Sequence, residues 1–95
     1  MSEEQKLAIA GVFEMHKRWV DEGMEQAKEY ARERSFSGML QNFYKATLAL
    51  KGLEAVFRVD VPEARAYTKQ KKAEIVKKDI PELVNILRQK CKIHP

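Results

Sequence analysis

Ninety-five residues suffice for one domain and are too few for two, so we expect residues 1–95 to form a single domain. The chain has a formal net charge of +4 and 44% hydrophobic residues, which argues against disorder. Its single cysteine excludes a disulfide within the chain and is typical of a reducing compartment. The N-terminus is acidic, and no apolar run approaches the roughly 20 residues that span a bilayer. The sequence therefore predicts a cytoplasmic protein that does not bind membranes.

The chain is predicted to be all-α, because its apolar residues recur at steps of three and four and never alternate over the length of a strand. Helix 1 is expected from Ser2, which forms a capping-box pattern with Gln5, to about Arg34. Its apolar stripe is widened in the first half by three further residues, Ala8, Met15 and Trp19. That half is therefore expected to contact two neighbouring helices, or one helix and a partner.

Residues 35–38, Ser-Phe-Ser-Gly, predict a turn, and helix 2 is expected from about Gly38 to Arg58. Its apolar residues cover nearly the whole circumference. This pattern is typical of a buried helix, so we expect helix 2 to be the central element. Gly23 lies on the stripe of helix 1, where it either permits a close contact between helices or marks a bend.

Two four-residue segments have the same pattern, Asp60-Val61-Pro62-Glu63 and Asp79-Ile80-Pro81-Glu82. Each offers an aspartate as N-cap and a proline in the first turn, where a missing N–H costs little. They predict helix 3 over about 61–77 and helix 4 over about 80–92. The expected fold is a small four-helix bundle-like domain, in which a long hairpin of helices 1 and 2 carries a shorter pair, helices 3 and 4.

The residues that could carry chemistry do not form a complete set. Cys91 and His94 have the spacing of half a zinc site, but His16 is the only other histidine and there is no second cysteine. His16 lies on the apolar stripe of helix 1 and lacks a polar neighbour on the same face, which a general base needs. We therefore predict no catalytic residue, metal site, cofactor or small-molecule substrate, and we do not expect an enzyme.

Positive charge is concentrated in the second half of the chain. Residues 1–48 carry 7 Lys/Arg and 8 Asp/Glu, whereas residues 49–95 carry 11 and 6. The residues that could form a nucleic-acid-binding face are Arg65, Lys69, Lys72, Arg88 and Lys92. A lysine-rich solvated surface explains the same asymmetry, and an aromatic residue for base stacking is nearly absent from this segment. Nucleic-acid binding thus stays open as the second interpretation.

The favoured interpretation is a non-enzymatic interaction or assembly module. The broadened stripe of helix 1 offers more apolar surface than helices of these lengths can cover, and a second copy or a larger partner is the usual way to bury such a surface. We therefore expect a homo-oligomer or a subunit of a complex. Its interface is predicted to include Ala8, Met15 and Trp19.

Overall fold

A computed structural model describes residues 2–57 and 61–90, except for the side chains of residues 56 and 57. These residues form three helices and no strand, so the all-α prediction is confirmed. α1 is Glu3–Arg32. α2 is Phe36–Gly52 and continues as a π-helical turn over Leu53–Phe57. α3 is Pro62–Glu74, continues as a π-helical turn over Ile75–Asp79, and ends with the α-helical segment Ile80–Lys90.

The start of α1 agrees with the sequence pattern. The Gln5 backbone N–H donates to the Ser2 hydroxyl oxygen over 3.1 Å, and the Ser2 backbone N–H donates to Gln5 Oε1 over 2.9 Å. This reciprocal capping box satisfies two of the backbone donors that the first turn leaves unpaired. α1 ends before Arg34, whose φ of 62° lies in the left-handed region and reverses the chain into α2.

The prediction of separate helices 3 and 4 is wrong, because the chain continues through Asp79 and Pro81 as one helix. Upstream of Pro81 the backbone widens into a π-helical turn, and the Ile80 N–H donates to the Ile75 carbonyl five residues back. Asp79 does not cap a helix start. Its side chain is buried against α1, so a tertiary contact overrides the local capping signal. The corresponding cap at Asp60 lies outside the described residues.

Helix 2, predicted to be the buried central element, is not enclosed: four of its large apolar side chains stay exposed, whereas α1 packs against both other helices and the end of α2 also contacts α3. α2 runs antiparallel to α1, with Ala46 opposite Gly23 and Gly52 opposite His16. α3 runs parallel to α1 and contacts it at successive levels. Near its start Tyr67 meets the Phe13 ring edge-on with centroids 6.2 Å apart, and further along Asp79 pairs with Lys28.

The core lies on the side of α1 that faces the other two helices. Its fully buried members are small or branched: Val20, Ala27, Ala31, Ala46, Leu53 and Ala64. Small residues at the α1–α2 contact let the two backbones approach closely. The result is a long, thin molecule of 64 × 21 × 14 Å, in which much apolar surface on α2 and α3 has no helix over it.

Candidate interaction surfaces

The three predicted interface residues lie together on the outside of α1. Ala8, Met15 and Trp19 are all exposed, and Val12 joins them at the intervening turn. Trp19 keeps 37% of its surface exposed, although its ring lies 5.0 Å from that of His16. These positions follow the alternating four- and three-residue spacing that keeps side chains on one line along a helix.

The same line continues toward the end of α1 with polar residues. Glu22, Gln26 and Glu29 follow Trp19 at the same spacing, and all three are exposed. We call the line Ala8, Val12, Met15, Trp19, Glu22, Gln26 and Glu29 the α1 seam. Its first half is apolar and its second half is acidic, so it presents two chemically distinct halves along a single helix.

A second surface, not anticipated from the sequence, is an open groove between α2 and α3. Its central hollow has a volume of about 780 Å³ and a mainly apolar lining that includes Phe43, Leu50, Ile75, Val76 and Ile80. A smaller hollow of about 210 Å³ shares Phe43 and Ile80 with it and is otherwise lined by Met39, Leu40, Leu83, Val84 and Leu87. None of the lining residues belongs to α1, so the groove and the α1 seam are separate surfaces.

The groove exists because α2 turns only part of its apolar circumference toward α1. Four large side chains at four-residue spacing remain exposed along α2: Phe36, Leu40, Tyr44 and Leu48. On α3 the exposed apolar side chains are Val76, Ile80 and Val84. The all-round apolar pattern of α2 in the sequence predicts burial inside the domain, whereas the structure leaves this stripe exposed. The spacing of these four residues was the available signal for a solvent-facing apolar stripe.

Charged residues gather at one end of the groove. Lys51, Glu54 and Lys72 line the central hollow, and Lys72 forms an ion pair with Glu54. Beyond them, a polar hollow of about 280 Å³ is lined by Glu54, Arg65, Thr68, Lys69 and Lys72. We call the groove with this extension the α2/α3 groove. One end is apolar and the other carries four cations and one carboxylate.

The structure brings together three of the five residues predicted to contact nucleic acid. Arg65, Lys69 and Lys72 line the same polar hollow. Arg88 is exposed on the same helix but 16 residues beyond Lys72, or about 24 Å at 1.5 Å per residue. Lys92 lies outside the described residues. The predicted face is therefore a cluster of three cations at one end of α3, with Arg88 well apart from it.

Three of the four acidic residues of α3, Glu74, Asp79 and Glu82, are engaged in ion pairs on the side of the helix toward α1, and the fourth, Glu63, is exposed near the start of the helix. The buried Lys28 ammonium lies 2.8 Å from Asp79 Oδ1 and 3.0 Å from Glu82 Oε2. Glu74 is 3.4 Å from the Lys71 ammonium, which also pairs with Asp21 of α1. With these carboxylates turned toward α1, the groove side of α3 keeps an excess of positive charge.

Two buried groups have pKa values that keep them in their ordinary protonation states at neutral pH. Burial alone would lower the pKa of Lys28, but hydrogen bonds to Asp79 and Glu82 and the negative charges of Asp79 and Glu25 outweigh it, so the pKa rises above 10.5. Burial, with the charge of Asp21, raises the pKa of Tyr67 to about 12. Neither shift moves a group toward the neutral range that favours general acid–base catalysis.

Within residues 2–57 and 61–90, no three His, Cys, Asp or Glu side chains lie close enough to hold a metal ion. His16 is partly buried, and its Nδ1 is 2.8 Å from the Val12 carbonyl oxygen. Cys91 and His94, which gave the half-site spacing, lie outside the described residues. No described helix is both long and apolar enough to cross a bilayer.

Comparison of the chain with protein-family models, curated proteins and solved structures gives no significant match. What the protein does must therefore be argued from its own residues and geometry.

Proposed function

We propose that this chain is a non-enzymatic helical interaction module that acts in the cytoplasm and associates with itself or with a larger complex. The observation that carries this proposal is the apolar part of the α2/α3 groove, which lies open along two helices. Large apolar side chains border it on both sides, among them Leu40 and Val84. Large contiguous apolar patches usually mark interaction sites, because monomeric proteins rarely expose them to solvent.

Burial of the apolar side chains of the groove would offset part of the free-energy cost of association. Full burial of a large apolar side chain contributes about 1.5–3 kcal/mol, so a half-exposed one gains about 1 kcal/mol when a partner covers it. Four such side chains line the groove: Leu40, Val76, Ile80 and Val84. Covering them would contribute about 4 kcal/mol on one side of the contact, and the apolar surface of the partner would add to this, against a cost of association of about 4–15 kcal/mol.

Sedimentation velocity from nanomolar to high micromolar concentration tests self-association. We expect a mass above the 11.0 kDa of one chain at the upper end. Val84→Glu places a charge in the apolar part of the groove and should restore the monomer. Leu7→Glu is the matched control, because Leu7 is 72% exposed and lies on neither surface. A monomer at every concentration, with no loss of folding, would exclude self-association as the function.

Nucleic-acid binding is the competing proposal, and the shared position of Arg65, Lys69 and Lys72 favours it. The ion pair between Lys72 and Glu54 weakens it, because a carboxylate inside the cluster repels phosphate. If the cluster binds RNA or DNA, affinity should fall steeply with salt, and Arg65→Ala and Lys69→Ala should weaken it together. The absence of any gel shift at low ionic strength would exclude this function.

A further inference from the structure

The α1 seam and the α2/α3 groove each change from apolar to charged residues after about the same length of helix. On α1, the apolar half runs from Ala8 to Trp19, and the acidic half begins at Glu22. On α3, the apolar half of the groove runs from Leu87 to Val76, and the cations begin at Lys72. Each apolar half covers 12 residues, and its end residues lie about 16 Å apart at 1.5 Å per residue. The two surfaces therefore share one division into an apolar and a charged half.

Their total lengths also agree. The seam from Ala8 to Glu29 covers 22 residues, and the α3 side of the groove from Leu87 to Arg65 covers 23, so the end residues lie about 32 Å apart in each case. The charges are opposite in sign. Glu22 and Glu29 stand on the seam, with Glu29 paired to Arg32 of its own helix, and the groove end holds Lys51, Arg65, Lys69 and Lys72 against the carboxylate of Glu54, which pairs with Lys72.

We infer that the occupant of the groove is a second copy of this chain, which inserts its α1 seam. In this arrangement Ala8 of one copy lies near Leu87 of the next, and the carboxylate of Glu22 faces the cations that begin at Lys72. The inserted α1 then runs antiparallel to α3 of the receiving copy and parallel to its α2. The inference rests on the proposed function and specifies which surfaces form the contact.

A contact between two different surfaces is heterologous, and its products differ from those of a symmetric dimer. Each copy keeps a free seam at one side and a free groove at the other, so further copies can add until a ring closes or a filament grows. We therefore expect the wild-type assembly to exceed two chains at high concentration. A twofold dimer made by groove against groove, or by seam against seam, would stop at two.

Two variants that each block one surface give the decisive experiment. Trp19→Glu blocks the seam and Val84→Glu blocks the groove, so each variant alone should be monomeric, with affinity reduced at least about tenfold. Mixed in equal amounts, they retain one intact seam and one intact groove. They should form a heterodimer that grows no further. Met15→Glu and Leu40→Glu repeat the test at exposed positions if either first variant fails to fold, and helical circular dichroism checks the fold.

The alternative outcomes are distinct. If Trp19→Glu associates like the wild type while Val84→Glu does not, the groove pairs with another groove and the inference is wrong, although self-association stands. If Val84→Glu associates and Trp19→Glu does not, the contact is seam against seam, and the inference is again wrong. A wild-type chain that stays monomeric excludes both this contact and self-association as the function.

Exchanging the charges of one facing pair tests which residues of the α1 seam lie opposite which residues of the groove. Glu22→Lys and Lys72→Glu should each weaken association about two- to fivefold, as expected for a solvent-exposed ion pair, and the two together in one chain should restore most of it. Glu14→Lys is the matched control, because Glu14 is an exposed residue of α1 on the side away from the seam. Loss of affinity in the double variant equal to the product of the single losses would contradict the proposed register.

Discussion

Lys28→Met should lower the free energy of unfolding by about 3–5 kcal/mol, which is a large part of the roughly 5–14 kcal/mol expected for a chain of this length. The side chains of Lys28 and Asp79 are only 4% and 5% exposed, so removal of the ammonium leaves a buried carboxylate without its cation. Among the described residues, Asp79 Oδ2 already has no hydrogen-bond partner. Urea denaturation followed by circular dichroism measures the loss.

The double variant Lys28→Met/Asp79→Leu distinguishes the loss of the ion-pair attraction from the cost of leaving the Asp79 carboxylate buried without a cation. Replacement of both members by apolar side chains often restores or raises stability, because neither charge then has to be desolvated. We expect the double variant to return to within about 1 kcal/mol of the wild type. Lys6→Met is the surface control: its pair with Glu3 is exposed and contributes less than about 1 kcal/mol. A loss in Lys28→Met no larger than that control would show that Asp79 does not depend on the pair.

The contribution of the Lys28 ion pair to the free energy of unfolding should depend on pH in a defined direction. The pKa of Lys28 is higher in the folded chain than its ordinary value of 10.5, so the folded state holds this proton more tightly than the unfolded state does. The resulting stabilisation is fully present below pH 10.5 and is lost as the pH rises through the folded pKa. The difference in unfolding free energy between the wild type and the double variant Lys28→Met/Asp79→Leu, which has neither charge, should therefore be constant around neutral pH, and the wild type should lose stability relative to it only above about pH 10.5.

Local signals in the sequence predict local structure well in this chain. The capping box at Ser2 and Gln5 requires only contacts within one turn, and it forms as expected. Asp79 and Pro81 carry an equally clear capping pattern, but the helix passes through them. Asp79 instead pairs with the buried Lys28, which lies 51 residues earlier on α1, and no periodicity in the sequence connects the two residues.

The sequence allows the α1 seam to be predicted better than the α2/α3 groove. Met15 and Trp19 could be identified as excess apolar residues because helix 1 has a recognisable core face from which they deviate. α2 offers no such contrast, since apolar residues surround it, and the choice between burial and exposure depends on how many neighbours it has. With three helices instead of four, one side of α2 remains open. The number of packed neighbours is a tertiary property that the pattern of a single helix does not contain.

The close contact between α1 and α2 is set by Gly23, which the sequence left as either a contact or a bend. α1 continues through Gly23, and an added Cβ would lie 2.8 Å from the Asn42 carbonyl oxygen and 2.9 Å from Ala46 Cβ. Real Cβ atoms do not approach backbone atoms of a neighbouring helix so closely, so the two helices would have to move apart. This separation would also disturb the side of α2 that borders the groove.

Gly23→Ala should therefore destabilise the fold, although alanine is the better helix former. The gain in helix propensity is about 1 kcal/mol, whereas overpacking of a close contact costs about 1–3 kcal/mol. Gly11→Ala, in the same helix, is the matched control, because a Cβ there has no described atom within 4 Å, and this variant should gain about 0.5–1 kcal/mol. Urea denaturation should place the two variants about 0.5–3 kcal/mol apart. Equal stabilisation of both would mean that α1 and α2 pack less closely than described, and the groove beside α2 would then need a different shape.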